Sequence, residues 1–235
     1  MAKSRNTSGL LPHRKTLLIA GFATLAGLFI PYLRLVLLPV LYLNTHLHEF
    51  SHAIVAKATG AEVMKIIVNT DGSGETPVLG GNLLLIASAG YLGASVFGAM
   101  MIAFGSVEKT ARWMLMILSM ILMVSMALWV RGDQVGVLAC LCWIILLIAM
   151  GMFLKGKTAM FACQFLGLQQ CLNSFTSLAA LLQITAATEA HSDASILQEL
   201  SGVPAIFWAA LWSMMSLALV VWTIRKTWEP VPIKG

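Results

Sequence analysis

Leu35-Val-Leu-Leu-Pro-Val-Leu-Tyr-Leu-Asn-Thr-His-Leu-His48-Glu49-Phe50-Ser51-His52-Ala-Ile-Val-Ala56 is the stretch that decides how this chain is read. Its flanks are apolar, yet its centre is an H-E-x-x-H sequence. On a helix, residues four apart share a face, so His48 and His52 point the same way. Two imidazoles at that spacing suit a zinc ion, and Glu49 beside the first can take a proton from a zinc-bound water. A satisfied core histidine explains one His on an apolar helix. It does not explain two His and a Glu on one turn, and ionisable residues at membrane depth point to function. His46 falls on the far side of the helix and reads as a packing or interfacial residue.

Outward from this stretch, the composition is that of a polytopic membrane protein. Of 235 residues, 59% are hydrophobic and 11% charged, against about 25% charged in a soluble domain. The net charge of +5 fits Lys and Arg flanking membrane segments. No basic run is interleaved with aromatics, so nucleic acid is not an expected partner. Cys140, Cys142, Cys163 and Cys171 lie in apolar stretches with no C-x-x-C spacing and read as small packing residues.

The expected fold is all-α, with about six or seven transmembrane helices and a small β-hairpin after the H-E-x-x-H helix. A basic tail, 1–15, precedes a retained first helix from about Thr16 to Ile30, punctuated by Pro31. The motif helix runs from about Leu35 to Thr59. Residues 61–79 then change character: Glu62–Asn69 reads as a strand, Asp71-Gly72-Ser73-Gly74 as a turn and Glu75–Leu79 as a return strand. Such a hairpin is either a solvated loop or an edge that holds an extended peptide.

The third apolar segment, from Gly80 to about Phe104, carries Gly90, Ala94 and Gly98 on one face. That face is expected to pack closely on the motif helix. Segments at about 111–130 and 134–154 read as scaffold. The sixth, about 158–184, is polar, with Gln164, Gln169, Gln170 and Asn173; these groups either bond across helices or line a wet path to the site. An acidic stretch, 185–203, and a last helix from Pro204 follow. The single membrane-embedded domain spans 16–224, and 225–235 form an interfacial tail with Arg225, Lys226 and Trp228. Seven alternating crossings from a cytoplasmic N-terminus divide the fifteen Lys and Arg almost evenly, so charge bias does not orient that arrangement unless one segment is re-entrant.

A catalytic zinc needs a third protein ligand and an open position. No third histidine continues the motif. Asp193, His191, Glu189 and Asp133 are the available donors, and Asp193 is equally readable as a helix cap.

His48-Glu-Phe-Ser-His-Ala-Ile-Val-Ala, Thr59-Gly-Ala, Asp71-Gly-Ser-Gly-Glu-Thr, Gly80-Gly and Ala87-Ser-Ala-Gly-Tyr-Leu-Gly-Ala together resemble the M50 metallopeptidases, and most of all the M50B-like relatives of the site-2 proteases. Ser192-Asp-Ala, Leu200-Ser-Gly-Val-Pro-Ala-Ile-Phe-Trp and Leu211-Trp resemble the same branch. The likeness covers roughly residues 40–100 and 190–212. It implies His48, His52 and Asp193 as zinc ligands and Glu49 as the catalytic acid–base. The N-P-x-x-x-L-D-G motif of the better-known site-2 proteases is absent.

The expected protein is therefore an intramembrane zinc metalloprotease, multi-pass in a bacterial cytoplasmic membrane. It would act on peptide bonds in or next to transmembrane segments of a membrane-protein substrate. Two alternatives share these residues. A non-catalytic scaffold or chaperone has no use for Glu49, and a metal transporter needs several ligand clusters along a path, of which the sequence offers one.

Overall fold

The computed structural model describes residues 11–183 and 192–228. The chain opens with α1 (Pro12–Phe29), α2 (Pro31–Val36) and α3 (Leu38–Ala58). Each carries a proline in its first turn, where a missing N–H costs nothing. Ile30, ahead of Pro31, is extended and breaks α1 from α2. The strands β1 (Glu62–Val63), β2 (Ile67–Val68), β3 (Gly74–Glu75) and β4 (Val78–Leu79) follow, then α4 (Leu83–Phe104), α5 (Glu108–Leu128), α6 (Gln134–Phe153), α7 (Gly156–Gln183), α8 (Asp193–Ser201) and α9 (Ala205–Trp228).

Among the described residues, α4, α5, α6 and α9 are long and apolar enough to cross a membrane. Their inner faces bury Met101, Leu115, Leu118, Leu122 and Leu147, while large apolar side chains such as Phe153, Phe207 and Met214 stand fully outward. An apolar shell around an apolar core belongs in lipid, and this is an integral membrane protein.

The expected hairpin is present as one interrupted antiparallel ladder. β1 pairs with β4 and β2 with β3, with Met64 N–H donating to Pro77 O (3.0 Å) between them. At the tip Gly72 takes φ +85°, a left-handed conformation that glycine adopts without cost. Asp71 Oδ1 accepts from Ser73 N (2.9 Å) and Ser73 Oγ (2.6 Å), which hold its carboxyl below the ordinary range. The hairpin is tied to the α5–α6 connection: Ile66 N donates to Trp129 O, Arg131 N to Ile66 O, and Thr70 Oγ1 to Asp133 Oδ2 (2.8 Å). Asp133 also caps α6 through Val135 N (2.7 Å), and these donors hold its carboxyl below the ordinary range. It is thus a structural cap, remote from the role of third ligand.

The small-residue face of α4 serves two partners rather than the motif helix alone. Gly90 and Gly93 lie against His48, His52 and Ser51 of α3, whereas Gly98 meets Gly167 and Cys171 of α7. Two glutamines of α7 bond across helices: Gln170 Nε2 donates to Asn44 Oδ1 of α3 (2.6 Å), and Gln164 Nε2 to His13 O of α1 (3.1 Å), whereas Gln169 Nε2 is buried without a partner among the described residues. The side chain of Asn173 lies outside the described ones.

The bundle has two distinct ends. At one, Arg14 of α1 donates to Trp228 O of α9 (2.6 Å) and His13 Nε2 lies 3.2 Å from Thr227 O. Arg112 at the start of α5 donates to Gly151 O and Met152 O at the end of α6. The start of α1 and the end of α9 therefore share one end, where seven alternating crossings would have separated them. The other end holds the hairpin, α8 and the starts of α4, α6 and α9. There the expected acidic loop contains a helix. α8 is opened by a reciprocal Ser192–Ser195 capping box and closed by Gly202 at φ +74°. Ser192 is the cap, and Asp193 is the first helical residue.

Candidate metal centre

α3 places His48 and His52 one turn apart, with their Nε2 atoms 3.0 Å from each other. α8 brings in the third donor across 145 residues of sequence: Asp193 Oδ2 lies 3.0 Å from His48 Nε2 and 3.2 Å from His52 Nε2. Ligands at about 2.0–2.1 Å from a tetrahedral ion stand about 3.3–3.4 Å apart. Two nitrogens and one carboxylate oxygen, nearly equidistant at just under that spacing, fit such an ion and leave one face of the triangle open.

The surroundings suit the same chemistry. His52 Nδ1 donates to Ile86 O at 2.6 Å, which fixes the tautomer that turns the Nε2 lone pair towards the centre. His48 meets the edge of Tyr91 (centroids 4.6 Å), and Tyr91 stacks on Trp212 (5.1 Å). Burial alone would raise the Asp193 carboxyl. In the ion-free site, protonated imidazoles at His52 and His48 reverse that and hold it well below the carboxylate range. Gly90 makes the space: a Cβ there would collide with both imidazoles.

Glu49 sits beside this triangle, and the donor atoms of His48, Glu49 and His52 lie within 4.8 Å of one another. Its Oε2 accepts a hydrogen bond from Thr76 Oγ1 (2.7 Å), just beyond β3. Gly74 of β3 keeps the space beside Oε1 clear, since a Cβ there would lie 2.5 Å from it. The hairpin thus closes over the base. All four residues line a cavity of about 730 Å³ walled by α3, Gly72–Val78, the start of α4 and the start of α8. Among the described side chains none of α7 is in that wall, and Asn173, on which the expected wet path turns, lies outside them.

His48, Glu49, His52 and Asp193 are brought together; Asp133 and His46 are not. His46 is fully buried on the opposite face, its Nε2 3.0 Å from Gly136 O. Glu189 and His191 lie outside the described residues. Sequence reasoning missed Thr76 and Tyr91, and it missed the steric role of Gly90. The Asp71–Gly74 turn signal pointed to the hairpin, but nothing in it marks a threonine two residues later as the partner of Glu49.

No curated protein and no solved structure matches the chain. A family model does, that of the Peptidase M50B-like proteins, over residues 18–223. That match spans most of the chain, α1 to α9, and takes in all four residues of the centre. With a His-Glu-His cluster buried in an apolar helical bundle, the chain belongs to the M50B-like peptidases and is a membrane metallopeptidase of that family.

Proposed function

We propose that this protein is a zinc endopeptidase that cuts other membrane proteins within or beside their transmembrane segments, in the cytoplasmic membrane of a bacterium. The observation that carries the proposal is the triangle of His48, His52 and Asp193 beside Glu49, on the wall of a cavity that a strand edge also lines.

His48, His52 and Asp193 would hold the ion. A zinc bound there supplies a polarised carbonyl and a water of lowered pKa. Glu49 takes the water's proton on Oε1 while Thr76 holds Oε2, then returns it to the leaving amine. The surrounding protein shields the base from lipid, since α3 buries Asn44, Thr45, His46, Ser51 and the motif residues alike. A substrate helix must unwind before cleavage, because its carbonyls are already hydrogen-bonded. The backbone of Gly74–Val78 offers the freed strand a partner by strand addition. Six crossings fit the shared position of the two ends: α1 to α3 together form one, and α4, α5, α6, α7 and α9 one each.

Zinc stoichiometry on detergent-purified protein tests the proposal. About one zinc per chain is expected, lost in His48→Ala, His52→Ala and Asp193→Ala and kept in an inactive Glu49→Gln. Wild type without zinc sinks it. Zinc retained in Asp193→Ala removes Asp193 from the ligand set.

A further inference from the structure

The contacts between helices settle which charged residues share an end of the bundle, and this changes what the charges say. One end gathers Arg14 and Lys15 at the start of α1, Lys109 and Arg112 at the start of α5, Lys155 between α6 and α7, Lys157 at the start of α7, and Arg225 and Lys226 at the end of α9. Hydrogen bonds tie these segments to one another: Arg14 to Trp228, Arg112 to Gly151 and Met152, and Gln164 of α7 to His13. Among the described residues the other end has Lys57, Lys65 and Arg131, on the end of α3, the hairpin and the α5–α6 connection, and Arg34 of α2, between α1 and α3, is counted against the first end with them. It too is tied together, through Ile66 to Trp129 and Arg131, Thr70 to Asp133, and Asp193 to His48.

These charges lie within about seven residues of a helix end, beside connections short enough for the positive-inside rule to apply. With seven alternating crossings the same residues divided evenly and oriented nothing. With the start of α1 and the end of α9 at one end, the bias is eight to four among the described residues even with Arg34 counted against it. The centre belongs to the poorer end. His52 is tied to Ile86, one turn into α4, and Asp193 opens α8. Gly72–Val78 of the hairpin form one wall of the cavity, and among the described residues no Lys or Arg lines it.

We propose that the Lys- and Arg-rich end, which holds the start of α1 and the end of α9, faces the cytoplasm, so that the cavity of His48, Glu49, His52 and Asp193 opens on the non-cytoplasmic side. Substrate segments then reach it from the non-cytoplasmic leaflet, and water for hydrolysis comes from that side. The orientation stands on charge and helix contacts alone; the class of substrate rests on the protease proposal.

The test uses the full chain in cells. Cys142 is the exposed cysteine and is replaced by serine; Cys140, Cys163 and Cys171 are buried and stay. Single cysteines are then placed at two exposed positions outside the centre, Glu62→Cys on β1 and Lys155→Cys between α6 and α7. A membrane-impermeant maleimide is applied to intact and to permeabilised cells. Glu62→Cys is expected to label in intact cells and Lys155→Cys only after permeabilisation. The reverse pattern, or equal labelling of the two in intact cells, overturns the orientation. As a second measurement that needs no cysteine, a C-terminal alkaline phosphatase fusion should be inactive and a C-terminal green fluorescent fusion bright; the opposite pair overturns it. Zinc content of the same variants separates the outcomes. Zinc present with the labelling reversed refutes the orientation alone, and zinc absent with the labelling as expected refutes the protease proposal alone.

Discussion

Glu49 and Thr76 form the smallest unit whose behaviour the structure determines. Removing the base in Glu49→Gln should lower the cleavage rate by about 10²–10⁴-fold, the usual span for a general base, with zinc content unchanged. Thr76→Val keeps the volume and removes the donor to Oε2. Its expected effect is a smaller fall in kcat, roughly tenfold, with KM unchanged, since the lost bond orients a base rather than a substrate. Steady-state kinetics on a reconstituted substrate distinguishes the two, and a Thr76→Val variant as active as wild type would remove the hairpin from the chemistry. His48, Glu49 and His52 were legible in the sequence because helical spacing alone puts them on one turn. Asp193 was only partly so: a carboxylate 145 residues away carries no spacing information, and the scarcity of ionisable residues put it first among four candidates before the family resemblance favoured it.

At the scale of elements, α8 matters out of proportion to its nine residues. It is too short to be stable alone, and its first residue is the proposed third ligand. Ser192→Ala removes the cap and costs about 1 kcal/mol. Zinc affinity should fall by up to about fivefold, the equivalent of that energy, measured by competition with a chelator. An unchanged affinity would show that packing of Ala194 and Leu197 alone holds Asp193 in place. The Asn44–Gln170 bond between α3 and α7 is a second element-scale device. A double-mutant cycle to apolar residues should give a coupling of about 0.6 kcal/mol, and at most about 1.7, because partners are also found in the unfolded state within a membrane. The hairpin was legible from its Asp-Gly-Ser-Gly turn. α8 was not, because its acidic, weakly apolar stretch looks like a loop until Ser192 and Ser195 are seen to cap each other.

On the scale of the whole molecule, the centre joins parts of the bundle that are far apart in the chain. α3 belongs to the first quarter and α8 to the last, and an ion held by His48, His52 and Asp193 as proposed would bridge them. Removing it should therefore loosen the fold as well as stop catalysis. Chelation is expected to lower the melting temperature of wild type in detergent by several degrees, as ligand linkage requires, and to leave His48→Ala unmoved. Equal shifts in both would mean the chelator acts elsewhere. This level was the least legible in the sequence. Each apolar segment announces itself, but whether α1 and α3 make one crossing or two depends on which ends touch, and that is written in contacts such as Arg14 to Trp228.

Gly90 ends as more than a point of close packing. The imidazoles occupy the volume that any other residue's first carbon would need, so one methyl group separates a chain of this shape that can host the ion from one that cannot. A sequence that keeps H-E-x-x-H but has lost this glycine is expected to keep the architecture and to lose the ion and the reaction with it. The glycine then works as a diagnostic letter for vitality, readable without any knowledge of what the enzyme cuts.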